Sequence, residues 1–188
     1  MNADEILLTA LESLRIDLAA LVAMTGIWAA PQGVAYIRKE HPDAAVFPNV
    51  RRYKRGLGER RSEIRDGVRL DDNSYANHAA KLVMGLAKGG AKGFAVCHVW
   101  PETCYDVRYH TSVANLVLLP RALEALSDHD PHVIRCLQYR SYDLFKWHPA
   151  EVQRPTRPAG YPTIWRPAQE WSDLIVKKLR GRRSRVDA

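Results

Sequence analysis

At 188 residues the chain is long enough for one full hydrophobic core with a smaller appendage, and 46% apolar residues exclude general disorder. A net charge of +7 points toward a polyanionic partner. Three cysteines without regular spacing exclude a disulfide scaffold and point to a reducing cytosol, and no apolar run reaches the roughly 20 residues of a membrane span. No basic leader precedes the apolar N-terminal stretch, so a cytoplasmic protein with no membrane partner is expected.

In chain order, residues 4–24 carry the clearest helical pattern. Leu7, Leu11, Leu14, Leu18 and Leu21 recur at spacings of three and four, Asp4 and Glu5 favour the helix start, and Gly26 ends it. A core helix is expected, with a dimerisation face as the alternative. From Ala30 to Asn49 the pattern weakens between Pro31, Pro42 and Pro48, and Gly33-Val-Ala-Tyr-Ile reads as either a short strand or a helical turn.

Residues 51–69 form the first basic stretch. Arg51, Arg52, Lys54, Arg55, Arg60, Arg61, Arg65 and Arg69 stand against Glu59, Glu63 and Asp66, with Tyr53 among them. Clustered cations of this kind suit a nucleic-acid backbone, because neutralised phosphates release counterions; a solvated surface segment is the plainer reading. A second helix is expected from Ser74 to Ala87 behind Asn73 or Asp72, with Ala76, Ala79, Ala80, Val83 and Leu86 on a narrow apolar face. Gly89-Gly90 stops it.

From Gly93 to Val99 an apolar, β-branched run reads as a strand with His98 near its end. A polar loop with Pro101, Glu102, Asp106, Arg108 and His110 follows. Asn115-Leu-Val-Leu-Leu reads as a second strand, and Pro120 heads a helical pattern over Arg121 to Asp128. Val133 to Phe145 has a mixed period that fits a helix or an extended segment. Five prolines between Pro149 and Pro167 favour an extended arm, anchored by Trp165. Pro167 is expected to open a last helix that runs into Lys177, Lys178 and Arg180 and a basic tail.

Strand, loop, strand, helix, with a histidine closing the first strand and an asparagine opening the second, resembles the ββα-metal (HNH) nuclease motif. The match covers residues 93–132. The resemblance implies that His98 is a general base and that Asn115 braces the loop. It implies that Glu124, nine residues after Asn115, and Asp128 one turn later hold a divalent metal, with His129 as a substitute for Asp128 if the helix starts later. Hard oxygen donors suit Mg²⁺ or Mn²⁺. The position before the base, where the family carries Asp, Glu or His, holds Cys97, and the paired CxxC zinc knuckles of many members are absent.

The expectation is therefore an α+β protein, mainly helical around a ββα-metal motif, with a basic C-terminal helix and tail. It divides into a helical region with the basic segment (1–92), a nuclease-like core (93–148) and a Pro-rich arm with the basic helix (149–188), packed as one domain. The expected function is metal-dependent DNA endonuclease, of restriction or defence type. Arg51, Arg52, Lys54, Arg55, Arg60, Arg61, Lys177, Lys178 and Arg180 would contact DNA, Arg108 or Arg121 would clamp the phosphate, and a homodimer would serve a symmetric site. A non-catalytic DNA-binding module with the same shell and an RNA-cleaving toxin are the alternatives.

Overall fold

A computed structural model describes residues 6, 9–11, 13–52, 60–86, 90–172 and 175. The chain is α+β, with small sheets set among helices, and among the described residues no helix is long and apolar enough to cross a membrane.

The N-terminal pattern does not produce one helix. Leu14 and Arg15 form a turn, with Arg15 at φ 54, and α1 starts afresh at Leu18 and runs to Thr25. The restart is local chemistry: the Asp17 carboxylate accepts the Ala20 N–H at 2.9 Å and caps the new helix. The buried face of α1 is Ala19, Val22 and Ala23, while Leu14 and Leu21 face solvent and Leu7 lies outside the described residues. The end of this helix packs closely on the side chains of the hairpin. A Cβ on Gly26 would stand 3.3 Å from Leu119.

Pro31 pre-sets the first turn of α2 (Pro31–Arg38), which settles the Gly33–Ile37 stretch as helix. Gly33 is required there, since a Cβ would stand 2.6 Å from the Trp171 ring. Part of the basic segment then becomes a sheet rather than an open surface. β1 (Asn49–Arg51) pairs in parallel with β3 (Val68–Asp71), and β2 (Ile64–Arg65) pairs antiparallel with β3. Asp66 and Gly67, both at positive φ, make the two-residue turn between β2 and β3.

α3 (Ser74–Val83) is a few residues shorter than expected, ending in a turn at Met84 and Gly85. Its alanines do what their size suggests. Ala76, Ala79 and Ala80 are fully buried.

β4 (Phe94–His98) and β5 (Leu116–Pro120) form the antiparallel hairpin at the centre, in a register that sets His98 opposite Leu116 and Phe94 opposite Pro120. Leu116 to Leu119 are completely buried on both sides, and Leu118 extends the pairing by exchanging main-chain hydrogen bonds with Ile27. Behind β5 the expected helix begins as a 3-10 turn over Arg121–Leu123 and becomes α4 (Leu126–His129). Asp130 accepts the His132 and Val133 N–H groups and starts α5 (Pro131–Phe145), so Val133 to Phe145 is helix. Residues 147–172 follow as an arm. Residues 167–172 are not helical, contrary to the expected helix from Pro167, and the basic tail lies outside the described residues. There the main chain prefers partners elsewhere: Gln169 N–H bonds the Trp28 carbonyl at 2.9 Å. One hydrophobic cluster draws on Ala19, Val83, Leu118, Leu137, Trp147 and Ile175 alike.

Leu118→Ala removes a fully buried side chain where both sheet and helix backbones are fixed, so little collapse is possible. A loss of about 3 kcal/mol is expected in urea unfolding, with an unchanged m-value.

Candidate active site

The loop between β4 and β5 is shaped by one amide. Asn115 is fully buried at the end of a 3-10 turn (Val113–Asn115). Its Oδ1 accepts the Trp100 N–H at 3.0 Å, and its Nδ2 donates to Thr103 Oγ1 at 2.8 Å and to the Tyr109 carbonyl at 3.1 Å. The three partners come from both halves of the loop. The asparagine thus holds the 3-10 turn over Pro101–Tyr105 against the turn at 107–111.

That bracing sets the next residue in line. The His110 carbonyl faces His98, whose Nε2 lies 3.0 Å from it. A carbonyl only accepts, so Nε2 carries the proton and the neutral ring keeps its lone pair on Nδ1. Burial pushes the His98 imidazole down to about 4, against the pull of the His110 carbonyl and helped by the nearby Arg51 charge. The ring is neutral at pH 7, the form that can take up a proton.

His110 itself stacks on His98 at 5.2 Å and 20°. It is wholly buried, and neither ring nitrogen makes a hydrogen bond of ordinary geometry. Burial, and then the facing His98, push it to about 3. Arg51, from β1, stands over this end of the hairpin. Its Nη1 lies 3.9 Å from the Cys104 Sγ and its guanidinium 6.0 Å from the Tyr105 ring centroid. Its charge reaches His98, His110 and Asp128.

Cys97, one residue before His98, is buried, and burial pushes its thiol up to about 12. The Ser127 hydroxyl opposes this, and the Glu124 and Asp128 carboxylates reinforce it. Both carboxylates therefore lie near the strand position that precedes His98, and both residues are exposed. Loss of solvent raises Asp128, while His129 and Arg51 lower it. Among the described residues no group of three or more His, Cys, Asp or Glu side chains is arranged to hold a metal. Two accessible carboxylates fit Mg²⁺ or Mn²⁺, which keep several waters and take substrate phosphate as a further ligand. A thiol that stays protonated does not add to such a set.

No family model, curated protein or solved structure matches this chain.

The cations divide sharply. Arg52 is paired with Asp72 at 2.7 Å, Arg61 with Asp71 at 3.0 Å, and Arg65 with Glu63 at 2.8 Å. Arg108 is held by Asp106 and by Glu151, the latter at 2.7 Å, and lies 4.6 Å from the Tyr109 ring centroid. These ion pairs engage the guanidinium of Arg108 within the loop and with the arm. Arg60 and Arg121 are exposed. Lys54, Arg55, Lys177, Lys178 and Arg180 lie outside the described residues. Arg51 is the cation that the fold brings to His98, across nearly fifty residues of sequence, and local sequence carries no sign of that meeting.

His110 was legible only as a loop polar residue, because its importance comes from burial against His98. Asn115→Ala would leave the buried Trp100 N–H without a partner and release both halves of the loop. A loss of about 2–3 kcal/mol in denaturant unfolding is expected. The two histidines also set an acid limit. Each binds protons more weakly folded than unfolded, so their contribution is complete above the ordinary value near 6.5 and declines as pH falls toward about 4 for His98 and about 3 for His110. Nitrogen-edited NMR of the imidazoles should show His98 as the Nε2–H tautomer, with neither ring titrating above pH 5. A ring titrating near 6.5 would contradict the buried geometry.

Proposed function

We propose that this chain is a metal-dependent DNA endonuclease of the ββα-metal (HNH) kind. The observation that carries the reading is the Nε2 bond from His98 to the His110 carbonyl in a loop braced by Asn115. It fixes a neutral imidazole with its lone pair on Nδ1, at the end of a hairpin whose following turn and helix bring Glu124 and Asp128 near the same strand.

In the reaction, His98 Nδ1 takes a proton from a water as its oxygen forms a bond to phosphorus, and the bond from phosphorus to the leaving sugar oxygen breaks. That oxygen collects a proton from solvent. Arg51 binds a non-bridging phosphate oxygen and orients the diester against His98. The approaching phosphate anion raises the proton affinity of His98, which burial alone leaves low. Glu124 and Asp128 hold Mg²⁺ or Mn²⁺, which when bound supplies positive charge for the developing phosphorane and the leaving oxygen. Asn115 acts through the loop and touches no substrate. A restriction or other defence role and a dimer that cuts both strands extend this reading by analogy.

A second reading, a DNA-binding module that has lost cleavage, is favoured by one observation. The strand position that supplies a metal ligand in the family holds a buried thiol.

Plasmid DNA incubated with Mg²⁺, Mn²⁺ or EDTA separates the two. Nicking or linearisation that needs the ion, and falls at least about 100-fold in His98→Ala with DNA binding intact, supports the nuclease. Salt-dependent binding without cleavage under either ion supports the binding module. Cleavage of RNA with duplex DNA left intact would instead indicate an RNA-cleaving toxin.

A further inference from the structure

Cations without an ion pair to a described carboxylate also stand outside the basic segment, on the arm. Residues 152–168 hold Arg154, Arg157 and Arg166 and no Asp or Glu. Arg154 and Arg157 are exposed, and neither forms an ion pair with a described carboxylate. They are not loose charges. Arg154 lies 5.5 Å from the Tyr142 ring centroid and Arg157 lies 5.3 Å from that of Tyr161, while Arg140 lies 5.2 Å from that of Trp165.

Three of the rings touch one another, while Tyr142 meets the His148 ring. Tyr161 packs against Trp165 at 5.4 Å and 32°, and meets Tyr139 of α5 edge-on at 5.0 Å. Asp143, the acid on this face of α5, is already shared between Arg140 and Lys146 at 3.8 and 3.3 Å. Anchoring explains part of this, since Trp165 also packs on Trp28 at 6.3 Å. Anchoring does not call for arginines at 154 and 157. A guanidinium laid on a ring presents a flat apolar face and its N–H donors together, which is what a base next to a phosphate requires.

We infer that the arm and α5 form a binding face for single-stranded nucleic acid. Arg154 and Arg157 take consecutive phosphates, and the guanidinium–aromatic pairs at Tyr142 and Tyr161 take unpaired bases by stacking. Duplex DNA would use the charges and leave the stacking surfaces unused. The face begins beside the hairpin, because Glu151 accepts the Tyr109 hydroxyl at 2.8 Å and binds Arg108. A strand lying along the arm is therefore led toward the loop that follows His98. The inference stands on binding alone and does not rest on cleavage by the hairpin.

Fluorescence anisotropy tests it in the full chain, with labelled oligo-dT and oligo-U of about 15 nucleotides and a duplex of equal length. The single strands should bind more tightly than the duplex at the same salt, and the ratio of dT to U assigns the preferred sugar. Arg154→Ala with Arg157→Ala should weaken binding about tenfold or more and reduce the log–log salt slope by about 1.4, two phosphates at about 0.7 each. Both side chains are exposed, so the melting transition by circular dichroism should not move. The paired Lys substitutions should keep the salt slope and still lose affinity, because an ammonium does not stack. A duplex preference, equal binding by wild type and the double Ala variant, retention by phosphatidylserine vesicles in place of oligonucleotides, or no binding at all would overturn the inference.

Discussion

One carboxamide holds the candidate site together. Asn115 has no contact with solvent, and it satisfies a main-chain N–H, a hydroxyl and a carbonyl from three points of the loop. Each such bond has a net worth of only about 1 kcal/mol, but leaving a buried partner unmet costs about 1–3 kcal/mol, so the three are kept or lost as a set. The consequence passes along the backbone. With the Tyr109 carbonyl fixed, the His110 carbonyl is fixed one residue on, and it decides which nitrogen of His98 bears the proton. A buried amide thereby specifies the tautomer of a histidine that it does not touch.

Electrostatics sorts the remaining charges by function more finely than composition can. A net charge of +7 invites a uniform picture of a basic, polyanion-seeking surface. The fold instead uses Arg52 and Arg61 to satisfy Asp72 and Asp71 beside β3, and Arg108 to tie the hairpin loop to Glu151. The exposed pair of Arg108 and Glu151 contributes little stability, whereas Arg61 compensates the buried Asp71 carboxylate. The shared effect of these pairs is to fix where long side chains point and to remove those charges from competition for a ligand. Arg51 over the histidines, and Arg154 and Arg157 on the arm, are thereby distinguished from their neighbours.

Much of the central architecture was legible in the sequence because it depends on local order. The two apolar runs became β4 and β5, with His98 and Asn115 at adjacent ends, and the alanine face of α3 was read from its spacing. The misses share a cause. The N-terminal leucine repeat looked helical throughout, yet Asp17 caps a new helix and the core wants the smaller Ala19, Val22 and Ala23. The Pro167 helix gave way, over 167–172, to an arm whose main chain finds partners on Trp28. Arg51 beside His98, His110 stacked on it and the pairing of Arg108 all join residues distant in sequence or buried by tertiary packing, which neither period nor propensity encodes.

The arm's seam with the N-terminal region carries a further consequence. Arg166 and Gln169 donate main-chain hydrogen bonds to the Ala23 and Trp28 carbonyls, Trp171 fills the space that Gly33 leaves, and Ile175 is buried against Gly85. During synthesis, α1 and α2 are therefore missing this cover until residues near 175 have also emerged. A nascent chain that stops before the arm would leave Trp28 without its contacts to Trp165 and Gln169, although the residues of the hairpin had already been made.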